Sequence, residues 1–186
     1  MTKNTEQNTP KVEEALQAYH VPPAVFLVDR VTADAERLQE EGRIGEAIEK
    51  WRSLANVVEG IDDKAAARAL VSVSKLLLED EAVWVQARLR SEAATCALKQ
   101  ALSACDKAIC LIPAYAAAWT QRGLVKRLLG QYAEAIADCD EAIRLNPEDA
   151  YAYTYRGFAK TLLGQNEAAI EDQDAALRLD ANLAEA

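Results

Sequence analysis

Histidine is nearly absent from this chain of 186 residues: His20 stands alone, beside Val21 and Pro22 and far in sequence from any cysteine. Nucleophilic catalysis needs a positioned base, most often histidine, and no such pair is visible. The four cysteines, Cys96, Cys105, Cys110 and Cys139, form no CxxC pair, so the tight set of about four soft ligands that zinc requires is missing. Free, buried thiols in a reducing compartment are the expectation. Glycine occurs at only seven positions, and none belongs to a GxxxxGK[ST] phosphate loop. Carboxylates abound, but abundance assigns no acid and base roles. The sequence therefore predicts no enzyme, no catalytic residue, no cofactor and no metal.

Long apolar runs are also lacking. Val25 to Val28 is broken at once by Asp29 and Arg30, whereas spanning a bilayer takes roughly 20 apolar residues. Met1 to Pro10 is polar, unlike a secretory signal, so a cytoplasmic location is expected. Positive charge is scarce as well. Thirty acidic residues against 21 basic ones give a net charge of −9, which repels phosphate backbones. Neither nucleic acid nor a membrane is an expected partner.

What the chain does have is apolar residues, 51% of the total, and an internal repeat. Residues 116–149 match residues 150–183 at 17 of 34 positions without a gap. The shared skeleton includes Arg122 and Arg156, Gly123 and Gly157, Lys126 and Lys160, and Gly130 and Gly164. It continues through Ala135 and Ala169, Asp138 and Asp172, Asp140 and Asp174, and Ala142 and Ala176. Each unit reads as two helices. The first spans about 115–129 and stops at Gly130, a residue suited to a left-handed helix end. The second spans about 132–145 and stops at Asn146-Pro147. Gly123, Ala135 and Ala142 are small enough to let the two helices approach closely. Trp119, Tyr153, Ala135 and Ala142 are expected in the core. Arg122, Arg156, Lys126 and Lys160 are expected to pair with acidic neighbours. Asp138, Asp140, Glu141, Asp172 and Asp174 are expected on a solvated outer face.

This pattern resembles the tetratricopeptide repeat. Trp119, Gly123, Gly130, Tyr132, Ala135, Ala142 and Pro147 carry the likeness in one unit, and Tyr153, Gly157, Gly164, Ala169 and Ala176 in the next. Asn166 and Ala181 depart from it, where the family prefers tyrosine and proline. The resemblance implies an all-α fold of stacked antiparallel helical hairpins in a short right-handed superhelix, an α-solenoid.

Upstream, Ala101, Cys105, Asp106, Ala108, Ile109, Leu111 and Pro113 align with the second helix of the following unit. Their partner is either a degenerate helix over 82–100 or a helix near 63–79, with about 15 residues inserted. Residues 42–48 resemble 130–136, which predicts another hairpin from about Pro23 to Val58. The expected organisation is a flexible arm over 1–21, with a short helix at Val12 to Ala18. Degenerate helical repeats over 22–113 and two well-matched repeats over 114–186 follow.

In such a stack the first helix of each pair lines the concave face. Repeat spacing puts Thr120, Leu124, Arg127 and Leu128 there, followed by Tyr151, Thr154, Phe158, Thr161 and Leu162. The asparagine and basic residues with which chaperone-binding family members grip a terminal carboxylate are not at these places. The implied function is a scaffold or adaptor that binds an apolar peptide or helical segment of another protein, anchored by Tyr151, Phe158, Leu124 and Leu162. The alternative is a self-associating structural module. In that case these side chains pack within the stack, and the C-terminal end, with Ile170 and Leu177 incompletely covered, meets another copy.

Overall fold

The computed structural model describes residues 23–79 and 92–180. The expected arm, its helix at 12–18, His20 and the chain end beyond 180 lie outside the described residues. Eight α-helices and no strand occur among the described residues. They are α1 (Pro23–Glu40), α2 (Ile44–Val58), α3 (Asp63–Glu79), α4 (Glu92–Leu111), α5 (Ala116–Leu128), α6 (Tyr132–Leu145), α7 (Ala150–Leu162) and α8 (Asn166–Leu179). The chain is an all-α helical repeat. Each odd-numbered helix packs on the helix after it, and each hairpin packs on the next.

The turn inside three of the four hairpins is the same piece of chemistry. Gly42, Gly130 and Gly164 have φ of 73°, 81° and 76°, a region that costs glycine nothing and other residues strain. At each, the following backbone N–H reaches a carbonyl five residues back: Arg43 to Leu38 at 2.8 Å, Gln131 to Lys126 at 2.9 Å, and Gln165 to Lys160 at 2.9 Å. That bond closes helix carbonyls that would otherwise lack a donor. The recurrence at Gly42 identifies α1–α2 as a hairpin built like the two well-matched units.

Within a hairpin, the crossing depends on a missing side chain. A Cβ at Gly123 would lie 2.7 Å from Cys139 Sγ and 3.3 Å from the Ala135 carbonyl oxygen. At Gly157 the same atom would meet Gln173 Nε2 at 2.9 Å and the Ala169 carbonyl oxygen at 3.2 Å. Ala135, Ala142 and Cys139 are wholly buried in that contact.

The helix at Asp63–Glu79 is the one that packs on α4, which decides between the two partners the sequence allowed. Their register is visible at Cys105, whose thiol lies 3.3 Å from Ser74 Oγ, as Cys139 lies against Gly123. The two cysteines are 34 residues apart, whereas Ser74 precedes Gly123 by 49. This hairpin therefore carries 15 extra residues between its helices.

The repeated basic and acidic positions of the two later units form matched ion networks. Arg122 donates from Nε and Nη2 to both oxygens of Asp138 (2.9 and 2.7 Å), and from Nη1 to Asp106 of α4 (2.9 Å). Lys126 Nζ stands 2.8 Å from Asp138. One unit later Arg156 grips Asp172 (3.0 and 2.6 Å) and Asp140 (2.6 Å), with Lys160 at 2.8 Å from Asp172. The arginine–acid pairing agrees with expectation. The placement of Asp138 and Asp172 does not: each is 3% exposed, because both turn inward to meet the two cations of the first helix. Trp119 and Tyr153 also depart from expectation, being half-buried rather than core. Each supports its unit's arginine, at 4.5 Å for Arg122 and 5.4 Å for Arg156, and Trp119 Nε1 donates to the Pro113 carbonyl at 2.8 Å. An aromatic ring covering a cation keeps one side open.

In the α3–α4 hairpin the same slot is apolar. The register above sets Val73, Leu77 and Ala104 where Arg122, Lys126 and Asp138 stand, and all three belong to a core shared with α1 and α2. A second core joins Val71 and Ala108 to Ala118 of α5, and a third joins Leu78, Leu98 and Ala101 to Leu124 and Val125.

Two measurements check this account. Gly123→Ala is expected to lower unfolding stability by about 1–2 kcal/mol from overpacking, with Cys139→Ala recovering part of the loss in a double-mutant cycle. Asp138→Ala strands Arg122 and Lys126 and is expected to cost about 3 kcal/mol, against no more than about 0.5 kcal/mol for the exposed Asp174→Ala. Chemical denaturation reads both.

Candidate functional site

The first helices of three successive hairpins, α3, α5 and α7, bound a groove of 520 Å³. Leu78 and Leu124 supply its apolar floor, and both are packed into the third core. Tyr155, half-buried beside them, and Tyr151, 52% exposed, form one wall, their ring centroids 6.0 Å apart. Burial pushes the Tyr155 phenol up to about 12, and the neighbouring Tyr151 adds to this, so the ring is held neutral. Lys75 stands on the α3 side, and Asp149 at the entrance to α7.

Asp149 fixes the geometry of that wall. Its carboxylate caps α7 by accepting the Ala152 N–H at 3.3 Å, and it accepts the Thr120 hydroxyl of α5 at 2.6 Å. A buried hydrogen bond thus ties the start of one first helix to the middle of the previous one. Beside it Gln121 lines the groove with a buried side-chain oxygen that accepts no hydrogen bond. A buried acceptor left in that state costs free energy until a donor reaches it.

The nine residues expected on the concave face divide three ways. Thr120, Leu124 and Tyr151 line the groove together. Thr120 and Leu124 are only 3% and 4% exposed, one held by Asp149 and the other by the core beneath, so Tyr151 alone of the three projects into solvent. Arg127 and Leu128 are half-buried between hairpins; the Arg127 guanidinium lies 5.5 Å from the centre of the Phe158 ring, and burial lowers its pKa. Thr154, Phe158, Thr161 and Leu162 lie outside this groove. Thr154 and Thr161 turn their hydroxyls back onto the Ala150 and Gly157 carbonyls at 3.0 Å each, while Phe158 and Leu162 are exposed at 47% and 54%.

Three lining residues escaped the sequence. Tyr155 lies one helical turn from Tyr151 and so on the same stripe, a signal that was available. Gln121 is its counterpart 34 residues earlier. Lys75 could be placed only once the offset of α3 was known.

Compared with known protein families, residues 116–149 match the tetratricopeptide repeat model. The chain is a tetratricopeptide repeat protein. Solved structures agree over nearly its whole length. MamA is similar with a TM-score of 0.60 and 22% identity, over 94% of this chain and 87% of that one. TTC0263, a thermophilic tetratricopeptide repeat protein of Thermus thermophilus, gives a TM-score of 0.64 at 22% identity, over 91% of this chain and 79% of that one. A tetratricopeptide repeat protein from Parabacteroides merdae gives 0.61 at 17% identity, over 83% and 54%. These identities speak for the fold alone. No curated protein matches significantly.

Among the described residues there is no cluster of three or more histidine, cysteine, aspartate or glutamate side chains that could hold a metal, and no helix long and apolar enough to cross a membrane. The cysteines divide by exposure: Cys96 and Cys110 are exposed, Cys105 and Cys139 buried. Burial pushes the Cys105 thiol up to about 11 and that of Cys139 up to about 12, far from the thiolate that reacts. A thiol-reactive dye at neutral pH is therefore expected to label two cysteines rapidly in the native protein, and the other two only when denaturant is added.

Proposed function

We propose that this protein is a protein–protein interaction scaffold whose concave groove takes an apolar peptide or helical segment of a partner. The observation that carries this reading is the pairing, in one groove, of an apolar floor with an unsatisfied acceptor. Leu78, Leu124 and Tyr155 offer surface that gains from being covered, at about 25 cal/mol per Å². The orphaned Gln121 oxygen offers a site for a donated N–H such as a bound segment's backbone carries. Tyr151 stands at the rim as a large, rigid ring able to close over an occupant, the kind of residue that dominates recognition surfaces.

The groove is not a grip for a terminal carboxylate. Thr120 is occupied by Asp149, Leu124 belongs to the floor, and Lys75 is the one cation among the residues that line it. The net charge of −9 also disfavours nucleic acid and strongly acidic segments.

The test is selection from a displayed peptide library against the wild-type protein, with Tyr151→Asp as the counter-screen. Tyr151 is exposed, so the substitution leaves the fold intact. Apolar peptides are expected to be enriched, and to bind the variant at least about tenfold more weakly, the loss of one anchoring ring. Peptides that bind both proteins equally would overturn the groove reading.

A further inference from the structure

The last hairpin is built unlike those before it. Its buried apolar side chains are all alanines, Ala150, Ala152 and Ala159 on α7 and Ala169 and Ala176 on α8. Its large apolar residues point outward instead. Phe158, Leu162, Ile170 and Leu177 are 47%, 54%, 62% and 41% exposed. Scattered exposed leucines are normal in any protein; several large apolar residues on one hairpin are not.

The repeat itself shows how such a surface is covered. Thirty-four residues earlier stand Leu124, Leu128, Ile136 and Ile143. Leu124 is 4% exposed, and the other three are half-buried. What lies against them is α7, which packs on both α5 and α6. The open face of α7–α8 therefore has the character of a face that, one unit back, is covered by a helix.

We propose that this face docks against the same face of a second copy of the chain, the two related by a two-fold axis. A head-to-tail contact needs a complementary apolar surface elsewhere on the molecule. Outside this hairpin, the large apolar residues well exposed among the described ones are Val57 and Ile61, too few to form one. A two-fold contact needs only the face that is present, and covers both open faces at once. This surface is separate from the groove and does not rest on the groove's function.

Sedimentation velocity on the full chain from about 1 to 200 µM, the range in which modest interfaces show themselves, tests the proposal. The wild type is expected to shift from monomer to dimer. Ile170→Glu with Leu177→Glu is expected to stay monomeric with an unchanged helical circular dichroism spectrum, and Leu162→Glu, an independent disruption on α7, to weaken the dimer at least about tenfold. Tyr151→Asp, which alters the groove, is expected to dimerise as wild type does. A wild type that stays monomeric throughout, or a dimer that persists in both sets of glutamate variants, overturns the proposal.

Discussion

Each well-matched hairpin is held to its predecessor by one arginine gripped between two carboxylates. Arg122 reaches Asp138 of its own hairpin and Asp106 of the hairpin before, and Arg156 repeats the arrangement with Asp172 and Asp140. The inner carboxylate of each set is buried, so it tolerates no other register: a slip by one residue would strand a charge away from water. The aromatic residue that covers each arginine, Trp119 or Tyr153, limits its freedom further. The concave groove inherits its shape from this alignment, because its walls are first helices set side by side.

The α3–α4 hairpin solves the same geometric problem differently. Val73, Leu77 and Ala104 fill with apolar volume the slot that two cations and a carboxylate fill later in the chain. Buried ion networks and well-packed apolar groups of similar volume are often close in free energy, so one fold accommodates both. The apolar version extends the core toward α1 and α2, while the ionic version leaves α5–α8 joined mainly through small residues and charge.

Much of this was legible in the sequence because the repeat recurs with no gap. Gly130 and Gly164 marked the turns, Gly123 and Gly157 the close crossings, and Asn146-Pro147 an end of helix; each falls where the structure has it. The burial of Asp138 and Asp172 was hidden, since a carboxylate on an outer helix reads as solvated until its two cations are known to converge on it. The 15-residue offset of α3 was hidden too: its slot residues changed chemical class, so identity with Arg122 and Lys126 vanished while geometry stayed. At the groove, helical spacing found Thr120, Leu124 and Tyr151 but ran too far along α7. It could not show that Phe158 and Leu162 lie beyond the region that α3 and α5 enclose.

A stack of this kind is held together by nearest neighbours, so its parts need not open together. Hairpin α7–α8 contributes alanines and one ionic slot to the interior, where the earlier hairpins contribute leucine, valine and tryptophan. Its local free energy of opening is correspondingly the smallest of the four. Amide protons on α8 exchange ahead of those on α2 and α3, through excursions in which the final pair unzips while the upstream pairs stay closed.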